Sequence, residues 1–486
     1  MSEYAPTIGL EIHAELKTKT KMFCSSANDS DEKRPNINIC PVCMAHPGTL
    51  PVANKKAIWH VLRVGTALGG KLVDFSEFDR KNYFYPDIPK GFQISQYKYP
   101  LISGGKLNGI EITRVHLEED TAKSFHVDGR KDTFLDFNRS GLPLMELVTE
   151  PVIRNSKQAS DFARELQLLL RYLNASEANM EKGQMRVEAN ISISKDSKKL
   201  GTKVEVKNLN SFRSVERAIE HEIKRQTELL ENGGEVVQET RGFDENTGKT
   251  FSQRKKESSH DYRYFPEPDL PKMKLSLVKE FQNLKEGLPE LPWQKRERLK
   301  DYGLRAETVE IFVADLVLSN FFERVTKNHP RDKEFILLAS NYITSDLVSL
   351  VGRESNFLAH GQKGNSQTNL IPDFTNIKPE SFEALIRMVQ KSGVSSRGAK
   401  DILATMVNDG GEPTDIATRK GLLQKSDVGE LETMAGEIIK ENEAVVEEYK
   451  SGKLSSLQFL VGQIMKKSRG SANPQIAQKI LKELLK

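Results

Sequence analysis

The sequence predicts an α+β fold: a strand-rich first part that carries two long helices, followed by modules built from helices alone. Three observations lead there. Short stretches within the first 290 or so residues alternate apolar and polar residues with period two. Two longer stretches in the same region repeat apolar residues at helical spacing. Beyond the proline cluster Gly287-Leu-Pro-Glu-Leu-Pro292 only helical patterns remain.

The alternation is first seen from Ile8 to Glu15, where Leu10, Ile12 and Ala14 oppose Glu11, His13 and Glu15. It is clearer from Met185 to Ser194. Met185, Val187, Ala189, Ile191 and Ile193 share one face, while Arg186, Glu188, Asn190 and Ser192 share the other. Lys203, Glu205 and Lys207 again oppose Val204 and Val206. Polar strand faces usually carry Thr, Ser and Lys. These repeat Glu, His, Arg and Asn, which bind metal and phosphate. A one-residue slip would bury them, so the register is well specified.

A helix is expected over about Ser156 to Asn174, with Phe162, Leu166, Leu169, Leu170 and Leu173 on one stripe. A second is expected over about Ser211 to Asn232, ended by Gly233-Gly234. The segment Gly242 to Thr250 imitates a phosphate loop, but its glycines are one residue too far apart and no helix follows. It reads as a hairpin: a strand from Glu235 to Gly242, a turn from Asp244 to Gly248 and a returning strand from Thr250 to Lys255. Past the proline cluster, Ala359 to Ser366 reads as a flexible loop, and Phe382, Leu385, Ile386 and Val389 mark an amphipathic helix. Gly410-Gly-Glu-Pro413 is a second boundary. The expected domains are thus 1–290, 291–410 and 411–486. In the last, Asn473-Pro474 supplies an N-cap and a first-turn proline between two apolar stripes.

Composition narrows the class. The chain has 486 residues, 37% hydrophobic and 29% charged, which suits a folded protein of several domains. A net charge of +4 leaves any RNA contact to local patches. No apolar run approaches the roughly 20 residues of a membrane helix. The N-terminus does not read as a signal peptide, so a cytoplasmic, reducing location is expected. Three cysteines, Cys24, Cys40 and Cys43, read as a metal knuckle or as free thiols. Cys40 and Cys43 form half of a structural zinc site, with His46 as a candidate fourth ligand.

Two groups carry candidate chemistry. Glu11 and His13, the run His116-Leu-Glu-Glu-Asp120, Glu146 and Glu150 are typical ligands for Mg²⁺ or Mn²⁺, unless they are solvated charges and ion pairs. The loop Asp79-Arg-Lys-Asn-Tyr-Phe-Tyr-Pro-Asp87 offers Arg80 and Lys81 to phosphates and Tyr83 and Tyr85 to a base, or else is a packed aromatic turn. Asp261 to Pro268 invites the same two readings. No amidase or glutaminase nucleophile motif is visible.

Taken in order, GLEIHAELKTKTKMF, PVCMAHPGTLPV, DRKNYFYPDIPKGFQISQY, HLEEDTAK, DFNRSGLPLMELVTEP, GTKVEVKNLNSFRSVERAIEHE, QETRGFDENTGKT, DYRYFPEPDLP and FLVGQIMKKSRGSANP resemble the signature blocks of the B-subunit family of glutamine-dependent aspartyl/glutamyl-tRNA(Asn/Gln) amidotransferases, across essentially the whole chain. The resemblance implies an antiparallel-sheet cradle similar to glutamine synthetase, then an all-α linker and a small all-α tail. It implies that ATP phosphorylates the side-chain carboxylate of Glu-tRNA(Gln) or Asp-tRNA(Asn), with Mg²⁺, and that ammonia then forms the amide. The ammonia would come from an amidase-like A subunit, held to this chain by a small C subunit. A tRNA-binding scaffold without its own catalysis is the competing reading.

Carried over by motif, the resemblance implies Glu11, His13, Glu119 and Glu146 as the catalytic and metal set, with Glu118 left open beside Glu119. Lys81, Tyr83 and Tyr85 fall in the block lining the phosphorylation pocket. Arg186, Glu188, Asn190, Lys203, Glu205 and Lys207 are candidates for ATP and acyl-group contacts. Lys466, Lys467 and Arg469 would meet tRNA, or are solvated helix-end cations. Zinc-containing members have a further cysteine where this chain has Ser26, and other members lack all four. A three-cysteine zinc site or a degraded one is therefore expected.

Overall fold

In the computed structural model, residues 4–126, 132–196, 199–255, 262–351, 377–424, 428–468 and 472–485 are described. The chain divides into two compact units, Met1–Pro292 and Trp293–Lys486.

The first unit is built on a ten-stranded sheet. Its strands lie in the order Lys249–Lys255, Glu239–Asp244, Val204–Leu209, Met185–Ser194, Ala5–Glu15, Pro143–Thr149, Ile110–Glu119, Ile102–Ser103 and Lys71–Leu72; Lys106–Leu107 also pairs with Ile110–Glu119. Every pairing is antiparallel except that of Val204–Leu209 with Glu239–Asp244. The alternation read from the sequence sets the two faces. Ile8, Leu10, Ile12, Ala14, Met185, Val187, Ala189, Ile191, Val204 and Val206 are all fully buried.

Helices cover that apolar face. Ser156–Tyr172 starts at Asn155, whose side chain accepts the Gln158 N–H, and buries Phe162, Leu166, Leu169 and Leu170. Phe212–Glu231 is capped by Ser211 and buries Val215, Ala218 and Ile219. This second helix also buries Glu222, which accepts from Arg225, Gln226 and Thr250. Thr250 belongs to the hairpin that imitates a phosphate loop, so a compensated buried carboxylate ties helix to hairpin. The hairpin itself comprises Glu239–Asp244 and Lys249–Lys255, turned by the Asp244 carboxylate accepting the Asn246 N–H.

A third helix, Lys55–Ala67, lies on the same apolar face. A Cβ on Gly65 would sit 2.2 Å from the Ile102 side chain, and Ile102 is the register partner of Val115. A small second sheet joins Asp79–Asn82, Phe92–Ser95 and Phe265–Pro266.

The second unit is helical throughout its described residues. Helices Pro379–Gln390 and Leu316–Thr326 meet through the Phe321–Phe382 edge contact. A separate core joins Leu431, Ala435 and Ile438 to Leu457, Leu460, Ile464, Ile480 and Leu481. Asn473 caps the last helix, Pro474–Leu484, by accepting from Gln475 and Ile476, as the Asn-Pro pair predicts. The expected loop at Ala359–Ser366 lies outside the described residues.

Two outcomes follow from this packing. Leu166→Ala, which empties a fully buried site, should destabilise the first unit by about 2–5 kcal/mol in urea unfolding. Burial pushes the His60 imidazole down to about 4, below its ordinary value of about 6.5. The unfolded chain therefore binds the proton first. The stability contribution is whole above about pH 6.5 and is lost as pH falls toward 4. His60→Gln should flatten the pH dependence of the unfolding midpoint across that window, relative to the parent chain.

Candidate active site

The polar face of the sheet gathers charges that the strand register brings into line. His13 lies opposite Glu146 on one side and Arg186 on the other, and Glu146 lies opposite His116. One row thus crosses four strands. From this row His13 Nε2 reaches Glu146 Oε2 at 3.3 Å, Glu118 Oε1 at 3.5 Å and Glu11 Oε1 at 3.9 Å. His116 Nε2 lies 3.6 Å from Glu146 Oε2, and Arg114 lies 3.6 Å from its other oxygen. His116, Glu118 and Glu146 are buried.

A second group lies one strand over. Glu11, Glu188 and Glu205 bring carboxylate oxygens within 4.8 Å of one another. Glu11 and Glu188 are register partners, and Glu205 lies opposite Asn190. The pairing slips between Val187 and Ala189, so that Glu188 faces the extra residue of a bulge. Asn208 there adopts φ 58°. Lys207, beside it, reaches Glu188 at 2.8 Å and Glu205 at 4.0 Å.

The electrostatics follow from crowding. Burial, then the carboxylates of Glu146 and Glu188, push the Glu11 carboxyl up to about 8. Burial opposes charge on His13, yet hydrogen bonds to Glu118 and Glu146 hold its pKa well above that of ordinary imidazole. Burial also works against the Glu146 carboxylate, but His116 and His13 keep it below the usual range. Burial lowers His116. These oxygen and nitrogen donors suit a hard divalent cation. Such an ion would displace the proton on His13, since a ligating nitrogen must be free of it.

The small sheet contributes Lys81. Burial opposes its charge, but Glu118 and other neighbours raise its pKa well above the ordinary value. Its ammonium lies 5.0 Å from the Tyr262 ring centre and 5.8 Å from that of Tyr83. Tyr83 meets Tyr85 and Tyr262 edge-on, and Tyr97 stacks on Tyr264 at 4.4 Å. Ser95 Oγ, at 3.2 Å from Glu118, joins this sheet to the acidic floor.

Several sequence-derived residues fall elsewhere. Glu119 stays out of the cluster and Glu118 enters it, because strand alternation puts Glu118 on the face of His116. Glu119 instead accepts from Lys90 at 2.7 Å and from the Ile94 N–H at 2.8 Å. Arg80 is committed to a two-point pair with Glu267, both arms at 2.8 Å, and to Asp269. Lys203 is exposed, just before its strand. Asn190 lies in the row of the second acidic group, with its side-chain oxygen buried. Arg186 is held by Asp120 at 3.0 Å; Asp120 is also bound by Arg139, which reaches Glu15 as well. The sequence reading passed over Arg139 and Lys90. The period-two step from His116 to Glu118 was the signal that could have decided between the two glutamates.

In the tail, Lys467 pairs with Glu437 at 2.8 Å and Glu441 at 3.0 Å. Lys466 is exposed, and Arg469 lies outside the described residues. The sulfurs of Cys24, Cys40 and Cys43 lie within 4.8 Å of one another, without His46. They offer three of the four ligands of a structural zinc site. The buried Lys21 ammonium lies 3.8 Å from Cys43 Sγ and donates to Ser140 O at 2.7 Å. A hydrogen bond from Cys24, with Lys21 adding to it, draws the Cys43 thiol down to about 5.

Comparison with known proteins shows the family. Residues 6–279 match the GatB/GatE catalytic domain, and residues 320–485 match the GatB domain. The chain is similar to proteins from three bacteria that are each named as the B subunit of aspartyl/glutamyl-tRNA(Asn/Gln) amidotransferase. That of Persephonella marina is 42% identical over the full length of both chains. That of Caldicellulosiruptor saccharolyticus is 42% identical over 99% of each. That of Crocosphaera subtropica is 39% identical over 100% of this chain and 98% of its own.

The floor predicts its own ligand set. Titration with Mn²⁺, followed by electron paramagnetic resonance, should show Glu146→Gln weakening binding at least roughly tenfold. Glu119→Gln should leave that affinity unchanged.

Proposed function

The chain belongs to the GatB/GatE family, and on that premise we propose that it is the B subunit of a glutamine-dependent tRNA amidotransferase whose acidic floor activates the side-chain carboxylate of Glu-tRNA(Gln), Asp-tRNA(Asn) or both. The observation that carries this reading is the convergence of His13, Glu118, Glu146 and Lys81 on one buried polar face. A passive RNA binder has no need of it.

The reaction has two steps. A substrate carboxylate oxygen attacks the γ-phosphorus of ATP, an O–P bond forms, and the bond to ADP breaks. Ammonia then attacks the acyl carbon, a C–N bond forms, and phosphate leaves while nitrogen sheds a proton. Mg²⁺, when bound by His13, Glu118, Glu146 and Glu11, supplies neutralisation of phosphate charge. Lys81 stays protonated and offers a fixed positive charge at the same place. Arg186, oriented by Asp120, and Lys207, poised on its bulge, add donors along the row. Tyr83 and Tyr85 line the approach.

Further parts of the reading rest on the family. We infer a cradle similar to that of glutamine synthetase, supported by the mainly antiparallel ten-stranded sheet. A division into catalytic, linker and tail domains at 1–290, 291–410 and 411–486 is supported by the separate core of the last helices. Partners would be an amidase-like A subunit that releases ammonia, a small C subunit and the misacylated tRNA, which the tail meets through Lys466, Lys467 and Arg469. A cytoplasmic place suits a translation enzyme; among the described residues no helix is long and apolar enough to cross a membrane. Zinc at Cys24, Cys40 and Cys43 would be structural.

Transfer of labelled γ-phosphate from ATP, measured with misacylated tRNA, ammonium and the A and C partners, tests the proposal. Glu118→Gln should slow it at least roughly 100-fold, the loss of several kcal/mol of charge stabilisation, with tRNA affinity kept. Unchanged turnover would instead favour a scaffold whose chemistry lies elsewhere.

A further inference from the structure

The face of the sheet opposite the acidic floor carries a second concentration of charge. A cleft of about 550 Å³ is lined by Lys17, Lys56, Trp59, His60, Arg63 and Glu286, among others. Four of these come from the helix Lys55–Ala67, at positions i, i+3, i+4 and i+7, and therefore share one side of it. That helix packs on Ile102 and so lies on the apolar face. The sheet itself separates this cleft from the floor.

Two of its cations are uncompensated. The Lys17 ammonium is taken by Asn174 and Glu177. Lys56 instead lies over the Trp59 ring, 3.2 Å from its centre, and the Arg63 guanidinium lies 4.4 Å from the same centre. Arg63 donates only to backbone carbonyls, Leu173 O at 2.7 Å and Gly287 O at 3.5 Å, and its Nε–H is buried without a partner. Neither Lys56 nor Arg63 forms an ion pair among the described residues. Glu286 lines the cleft without pairing to either. Burial and the neighbouring Arg63 both make the ammonium of Lys56 easier to deprotonate, as expected of two like charges held together without a counterion.

We propose that this cleft is a phosphate-binding site, distinct from the acidic floor, in which Lys56 and Arg63 together neutralise one phosphate group beside Trp59. Two cations in one cleft suit a phosphate group, whose several oxygens accept from both. The shared chemistry has two sources, free phosphate and the backbone of an RNA.

Trp59 is a built-in reporter, because the chain has only two tryptophans. In the full-length Trp293→Phe protein, indole emission reads this cleft alone, and anions captured on the opposite face leave it unmoved. Titration with inorganic phosphate at constant ionic strength should give a saturable change. Lys56→Ala should shift its midpoint at least about tenfold and Lys56→Arg should restore it. A short oligoribonucleotide without terminal phosphates forms the second arm. Saturation by inorganic phosphate supports a free-phosphate site, and saturation by the oligoribonucleotide alone supports an RNA-backbone site. No saturable response to either ligand, or equal midpoints in the parent and Lys56→Ala chains, overturns the proposal.

Discussion

Everything in the first unit depends on the register of four antiparallel strands. The side chain of each successive residue points to the opposite face, so one pairing decides both the core and the chemistry. With His13 set against Glu146 and Arg186, Ile12 is set against Leu147 and Val187. The fully buried Ile12, Leu147 and Val187 make any other pairing costly, because each apolar side chain moved into water forfeits roughly 1.5–3 kcal/mol. Hydrophobic packing on one face thus holds in place, on the other, groups that would otherwise repel.

That repulsion is substantial. Glu11, Glu118, Glu146, Glu188 and Glu205 lie on adjacent strands, with only local cations to offset them. The protein distributes these cations by position: Arg114 and His13 at Glu146, Lys81 near Glu118, and Lys207 between Glu188 and Glu205. Burial, with the carboxylates of Glu146 and Glu188 adding to it, pushes the Glu11 carboxyl up to about 8. A floor arranged in this way favours arriving positive charge and resists arriving phosphate until such charge is present. On the proposed function, a cation would therefore have to precede the nucleotide at this floor.

Much of this was legible in the chain itself. Alternation in Ile8–Glu15 and Met185–Ser194 located the central strands and their polar residues, and the two capped helices follow their apolar stripes to within a residue or two. The hairpin at Gly242–Thr250 was recognisable from glycine spacing. What the sequence left open was contact between distant segments. Glu118 and Glu119 are chemically identical neighbours, and only the orientation of their strand separates them. Arg80 reads as a free phosphate ligand until Glu267, nearly two hundred residues later, is seen to hold it. Lys467 reads as free until Glu437 and Glu441 appear beside it. The charge pairing of Asp120 with Arg139 and Arg186 has no local pattern at all.

The bulge opposite Glu188 has a consequence for how this chain can vary. Away from this bulge and the register shift at Val148 and Thr149, inserting or deleting one residue in the central strands would exchange core and floor along the remaining strand. At Lys207 and Asn208 the extra residue is already absorbed, and the strands on either side keep their phase. At the bulge a change of length would leave the faces in phase, and Lys207 there reaches both Glu188 and Glu205.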